Sequence, residues 1–290
     1  MKKHLLTLLI ILLGTHISAS AKLLDMNLSE AINKKMVKMD AVNTSGRYVG
    51  KTTKLSVINI SESALHLKVD LGMILKPSDS AYQPLVLAGE EMLVVQPSKS
   101  GEVEVNTFCG NSPRSCPAKD LHYSFAKIGS DTLLKVLRFI KINSLFDYLG
   151  QDAVWAITNG HGIDHVYNGS KDMLSANLID LVCKVTGRPK PEYYSISDHV
   201  EMPSAPAYVP KTLKIIANFE IILESPKVLT LGVYDSAGKM IQPVFENQSF
   251  QRSGHRFGVE FESADVSAGN YYIWLKEGDK VLQQKMVKVD

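Results

Sequence analysis

The apolar residues of this chain change their spacing twice along its length, and that change limits the folds open to it. From about Val37 to Phe108 the period is two: Lys54-Leu-Ser-Val-Ile-Asn-Ile60 and Leu65-His-Leu-Lys-Val-Asp-Leu71 alternate apolar with polar, as do Met92–Val95 and Val103–Val105 more loosely. Such alternation marks half-buried strands, and Ser61–Ser63, Lys76–Ser80 and Gln96–Gly101 supply the turns between them. Several short strands at this spacing predict an antiparallel β-sandwich of the immunoglobulin-like kind over residues 22–125.

The period then becomes helical. Ser130 offers an N-cap ahead of Leu133, Leu134, Leu137 and Ile140. A second helix carries Phe146, Leu149, Ala153, Val154 and Ile157 and stops at Asn159-Gly160; a third runs from about Asp172 to Thr186 and is closed by Gly187 and Pro189. Three amphipathic helices need a surface to cover, so a helical subdomain over 126–188 is expected to pack on the preceding sandwich. Pro189, Pro191, Pro203, Pro206 and Pro210 give 189–210 the composition of a stiff linker. Strand patterns return from Leu213 to Val289, with Asp235-Ser-Ala-Gly238 as a hairpin turn, so 211–290 reads as a second β-sandwich. The fold class expected is mainly β with an α subdomain.

Residues 1–21 read as a secretory signal peptide: Met1-Lys-Lys-His, an apolar run from Leu5 to Leu13, then Ala19-Ser20-Ala21 before Lys22. The expected location is secreted, periplasmic or on the outer cell surface. No later apolar run is long enough to span a bilayer, so no transmembrane segment is expected after cleavage. Net charge is +2 with acids and bases interspersed, which marks no nucleic-acid footprint.

Three cysteines are present. Cys109 and Cys116 bracket the turn-rich Gly-Asn-Ser-Pro-Arg-Ser, and a local disulfide between them is expected. Cys183 lies in an apolar helical stretch and is expected in the core.

Two resemblances follow from particular residues. Leu231–Lys239, Ser253-Gly254-His255, Ala268–Tyr272 and Lys285–Val289 resemble the type IX secretion C-terminal sorting domain and its flagellar hook-cap Ig-like relatives over roughly the last eighty residues. That resemblance implies export across the outer membrane, with this domain read by the secretion machinery. Gln151-Asp-Ala-Val-Trp155 resembles the glutamine motif of bacterial surface thioester domains. It implies a Cys109–Gln151 acyl thioester, formed with loss of ammonia and open to attack by an amine on a partner protein. Glycines, Gly110 and Gly150, flank the two residues where that family carries apolar ones. The competing reading is that Gln151 and Trp155, four apart on one helix face, anchor the helix to the first sandwich.

His161-Gly-Ile-Asp-His165 groups two imidazoles and a carboxylate, but it follows a helix stop and is expected to be a solvated loop, with no metal site. No metalloprotease, nucleophile-elbow or phosphate-loop spacing occurs, so no cofactor is expected and catalysis is disfavoured; a hydrolase would need a scattered site that includes His161 or Asp164. Tyr272 and Trp274 share one face of a strand and, with Trp155, are candidate recognition residues. The function expected is a non-enzymatic binding or structural protein of the cell envelope that meets a protein or glycan at the surface, its last domain serving export or attachment. The alternative is the covalent adhesin.

Overall fold

The computed structural model describes residues 23–199 and 211–290. The expected signal peptide, and Pro203, Pro206 and Pro210 of the expected linker, lie outside the described residues.

The chain opens with β1 (Leu23–Asn27) and the short helix α1 (Leu28–Asn33), followed by β2 (Val37–Asn43), β3 (Gly50–Asn59), β4 (Ala64–Lys68), β5 (Met73–Pro77), β6 (Leu85–Leu87), β7 (Met92–Val95), β8 (Ser100–Cys109) and β9 (His122–Ile128). Six of these strands close into a barrel in the order β2-β3-β8-β6-β5-β9, and β1, β4 and β7 form a separate three-stranded sheet. The sandwich expected over 22–125 is therefore corrected to a closed barrel. The cause is β9, which pairs antiparallel with β5 on one side and β2 on the other, so no open edge remains between them.

Three helices follow: α2 (Asp131–Ile142), α3 (Tyr148–Thr158) and α4 (Asp172–Thr186), with a 3₁₀ turn at Ile163–His165 between the last two. Ser130 caps α2 as expected, its hydroxyl accepting from the Leu133 N–H. The helices do not form a core of their own. Leu137, Ile140, Val154, Trp155, Leu178 and Val182 join Leu55, Leu75, Phe108 and Met73 of the barrel in one apolar cluster. This explains a feature of β8 that alternation alone does not: Val105–Cys109 are buried without interruption, because the barrel fills one face of the strand and α3 covers the other.

Gly150 permits that approach. A Cβ there would stand 2.1 Å from the Leu145 carbonyl oxygen and 2.7 Å from the Phe108 ring, so any side chain would push α3 away from β8.

The last unit comprises β10 (Tyr193–Asp198), β11 (Lys211–Ile222), β12 (Lys227–Tyr234), β13 (Met240–Phe250), β14 (Gly254–Glu262), β15 (Gly269–Glu277) and β16 (Lys280–Val289). One sheet is ordered β10-β11-β14 and the other β13-β12-β15-β16. Phe219 and Phe261 from the first meet Leu231, Ile273 and Val287 from the second in a separate apolar cluster. The extended linker expected over 189–210 is corrected in part, since Tyr193–Asp198 pair with β11 as a strand of this unit. The Asp235–Gly238 turn joins β12 to β13, with the Asp235 carboxylate accepting from the Ala237 and Lys239 N–H groups and Gly238 at φ +80°. Among the described residues, no helix is long and apolar enough to cross a membrane.

Candidate functional site

Cys109 ends β8, and Gln151 lies in the first half of α3. The last β3–β8 pair is Gly50 with Thr107, so Cys109, two residues further on, has no β3 partner beside it. Gln151 takes that place. The Cys109 N–H donates to Gln151 Oε1 at 2.8 Å, and Gln151 Nε2 donates to the Cys109 carbonyl at 3.0 Å. Both residues are fully buried. Two positions 42 residues apart, paired in sequence by the resemblance to thioester domains, are thus in contact across the barrel and helix interface.

Two features suit this pair to acyl chemistry. The Cys109 N–H already polarises the Gln151 carbonyl, as an oxyanion-hole donor does. The nitrogen that would depart as ammonia is held, among the described residues, by a main-chain carbonyl. The same contact also serves as an anchor, because it satisfies two buried backbone groups. Trp155, one turn along α3, is 1% exposed and packs against Tyr48 and His161, with ring centroids 5.7 and 5.6 Å away. Its expected part in surface recognition is thereby overturned.

Cys116 lies at the far end of the loop that follows β8 and is buried; no disulfide bond joins the cysteines in this structure. Cys183 is half-buried and packs against the edge of the core cluster, its thiol directed at the Pro189 carbonyl and its pKa raised by burial. Ser112, in the same loop as Cys116, stands 2.8 Å from His161 Nε2, and its N–H donates to the Asn159 side chain. The loop after Cys109 is thus tied to the end of the helix that carries Gln151. Burial, and then the charge of His165, lower the His161 pKa, so the ring is neutral at neutral pH.

The solvated-loop reading of 161–165 is also corrected. His165 and Asp164 side chains are only 10% and 17% exposed, because β10 packs against the 3₁₀ turn. His165 Nδ1 is 2.7 Å from Ser197 Oγ, while its Nε2 lies 3.5 Å from carboxylate oxygens of both Asp164 and Asp290. The Ser195 hydroxyl donates to Asp164 at 2.8 Å. These contacts bind the helical block to both ends of the last unit. A small cavity of about 190 Å³ opens here, lined by Tyr148, Asp152, His165, Ser197 and His199 among others. Sequence reasoning missed Asp152, Ser197 and His199, which carry no local motif. Among the described residues, no group of three or more His, Cys, Asp or Glu side chains is placed to hold a metal ion.

Asp152 and His199 form a buried pair at 3.1 Å. Burial raises the Asp152 pKa against the downward pull of His199. For His199, burial acts downward, but the hydrogen bond and charge of Asp152 outweigh it and the pKa is raised. The raised His199 value means that the folded protein holds a proton there that the unfolded chain would release. This stabilisation is full below the unfolded histidine value, about 6.5, and is lost as pH rises through the higher folded value. Thermal melts from pH 6 to 9 should therefore show the melting temperature falling for the wild type and a flatter profile for Asp152→Asn. Parallel profiles would refute the coupling.

On β15, Ile273 and Leu275 are buried, while Tyr272 and Trp274 are half-buried on the opposite face, where Trp274 packs on Tyr234 at 4.5 Å. They form a partly covered aromatic strip next to the Asp235–Gly238 turn.

No family model matches the chain, and no curated protein matches it. Among solved structures, a β-glucosidase from Kluyveromyces marxianus is similar at 10% identity with a TM-score of 0.20, over 82% of this chain; the chain spans 44% of that enzyme.

Proposed function

We propose that this is a cell-envelope or secreted binding protein whose barrel and helical block capture a partner covalently, through an acyl thioester between Cys109 and Gln151. The observation that carries the reading is the contact of the Gln151 carboxamide with Cys109. In the first step the Cys109 sulfur adds to Gln151 Cδ; the amide nitrogen leaves as ammonia with the thiol proton, and a C–S bond replaces the C–N bond. In the second step a primary amine, such as a lysine on a protein partner, adds to the same carbon. An amide forms and the Cys109 thiol is released.

Intact mass tests this. The formed thioester lowers the mass by about 17 units through loss of ammonia, and methylamine converts that deficit to an adduct. A full mass indifferent to methylamine, with and without reductant, would refute it.

A second reading has Gln151 as anchor only, in a protein that binds its partner without covalent chemistry; it is favoured by the two backbone groups that Gln151 satisfies. In either case we read the last unit as an Ig-like β-sandwich that serves as export or attachment module, supported by the two sheets around one apolar cluster and the Asp235 hairpin. Deleting Lys211–Asp290 should leave the remaining protein inside the cell envelope. Normal export of the truncated chain would end the export reading.

A further inference from the structure

We propose that Cys116 is the redox partner of Cys109 and switches capture off: a Cys109–Cys116 disulfide and a Cys109–Gln151 thioester exclude one another, so only the reduced protein acylates. This inference rests on the capture reading and adds its regulation.

The geometry comes from one short stretch of chain. Cys109 stands opposite Leu85 in the β6–β8 ladder, and the Gly110 N–H donates to the Pro84 carbonyl at 2.8 Å. The loop then turns, with the Asn111 N–H donating to Gln83 Oε1 at 3.2 Å. Ser115 returns to the same stretch: it bridges Tyr82, and its carbonyl accepts from the Gln83 N–H at 3.0 Å. Consecutive residues 83–85 therefore hold both ends of the loop 110–115, and the two cysteines that bound it are both buried. A loop pinned in this way has little closure entropy left to lose when a bond forms across it.

Tyr123 of β9 belongs to the same buried cluster as the two cysteines. Its hydroxyl is buried and makes no hydrogen bond among the described residues. Burial first, and then Cys109, Tyr82 and Cys116, raise its pKa. Cys109 is thus bounded by the pinned loop that carries Cys116 and by the Gln151 carboxamide of α3.

The chemistry is exclusive because Cys109 has one sulfur. Exchange with a disulfide donor joins Cys109 to Cys116 and returns two thiols from the donor, moving two electrons and two protons. In that state no thiolate is available to attack Gln151. Reduction restores it, and acylation proceeds with ammonia as the leaving group. In an oxidising compartment the resting protein is then inert until it meets a reductant.

The experiment uses full-length mature protein carrying Cys183→Ser, so that only Cys109 and Cys116 can pair. Protein equilibrated with oxidised glutathione should show a deficit of about 2 mass units, from two hydrogens lost, and no methylamine adduct. A phosphine reductant, which has no sulfur to attack a thioester, should move it to a deficit of about 17 units that methylamine converts to an adduct. Adding Cys116→Ser should give the larger deficit without reductant. If the oxidised Cys183→Ser protein already carries the larger deficit and takes up methylamine as fully as the Cys116→Ser variant, the switch is refuted and capture stands. If neither the reduced protein nor Cys116→Ser ever loses ammonia, capture itself fails and the switch with it.

Discussion

Replacing Cys109 by Ala is expected to abolish incorporation of a fluorescent primary amine completely, and Gln151→Glu is expected to do the same. The two variants fail at different points of one reaction. Without the Cys109 sulfur there is no nucleophile; with a glutamate at 151 there is no amide nitrogen to expel, and a carboxylate resists attack by a thiol. The measurement is in-gel fluorescence of reduced protein, with circular dichroism to show that each variant is folded. Cys109→Ala is the cleaner of the two, because it keeps the main-chain N–H and carbonyl that Gln151 engages. Gln151→Glu leaves the Cys109 carbonyl without its donor and buries a charge, so a loss of stability is expected alongside the loss of labelling. Labelling retained in folded Cys109→Ala would place the acyl group elsewhere and overturn the thioester.

Alternation and helical periodicity made the sequence of blocks legible, because each depends only on which residues are apolar and how far apart they lie. The three helices fall where Leu133–Ile140, Leu149–Ile157 and Leu174–Val185 predict them. Barrel closure was not legible, since it turns on β9. His122–Ile128 is mostly exposed, with only Tyr123 fully buried, so its apolar signal is weak, and pairing with both β2 and β5 is a long-range choice that no local pattern encodes. Tyr193–Asp198 was hidden by the prolines on either side of it. The Cys109–Gln151 pairing was legible only through the resemblance of Gln151–Trp155 to the thioester-domain glutamine motif, not through periodicity. By contrast, the His165 cluster draws on residues from α3, the 3₁₀ turn, β10 and the last residue of the chain, and its members carry no spacing that would gather them. Gly110 and Gly150 shed light on each other. A Cβ at Gly110 would lie 3.1 Å from Val86 and one at Gly150 would strike Leu145, so both glycines sit where β8 and α3 are pressed closest to their neighbours.

The largest effect on stability is expected at Trp155. The chain has two tryptophans, Trp155 on the buried face of α3 and Trp274 in the last unit. Trp155 is the bulkiest of the fully buried side chains and bridges Tyr48 of the barrel to His161 beyond α3. Truncation to Ala removes that transfer free energy and leaves a cavity that α3 cannot close, because Gly150 already holds the helix against Phe108. The expected cost is about 3–5 kcal/mol, enough to shift the urea midpoint of the first unit well below that of the wild type. Far-UV circular dichroism follows that unit, while Trp274 fluorescence in the variant reports the last unit separately. Its midpoint should stay near the wild-type value, since the two units have separate apolar clusters. Trp155→Phe keeps an apolar ring in the site and should recover part of the loss. Capture separates the anchor from the chemistry: Trp155→Phe should still label with amine, because it leaves Cys109 and Gln151 in place, whereas Cys109→Ala should not label however stable it is. Equal loss of labelling in both would mean that the packing of α3, and not the sulfur, decides whether the amine is taken up.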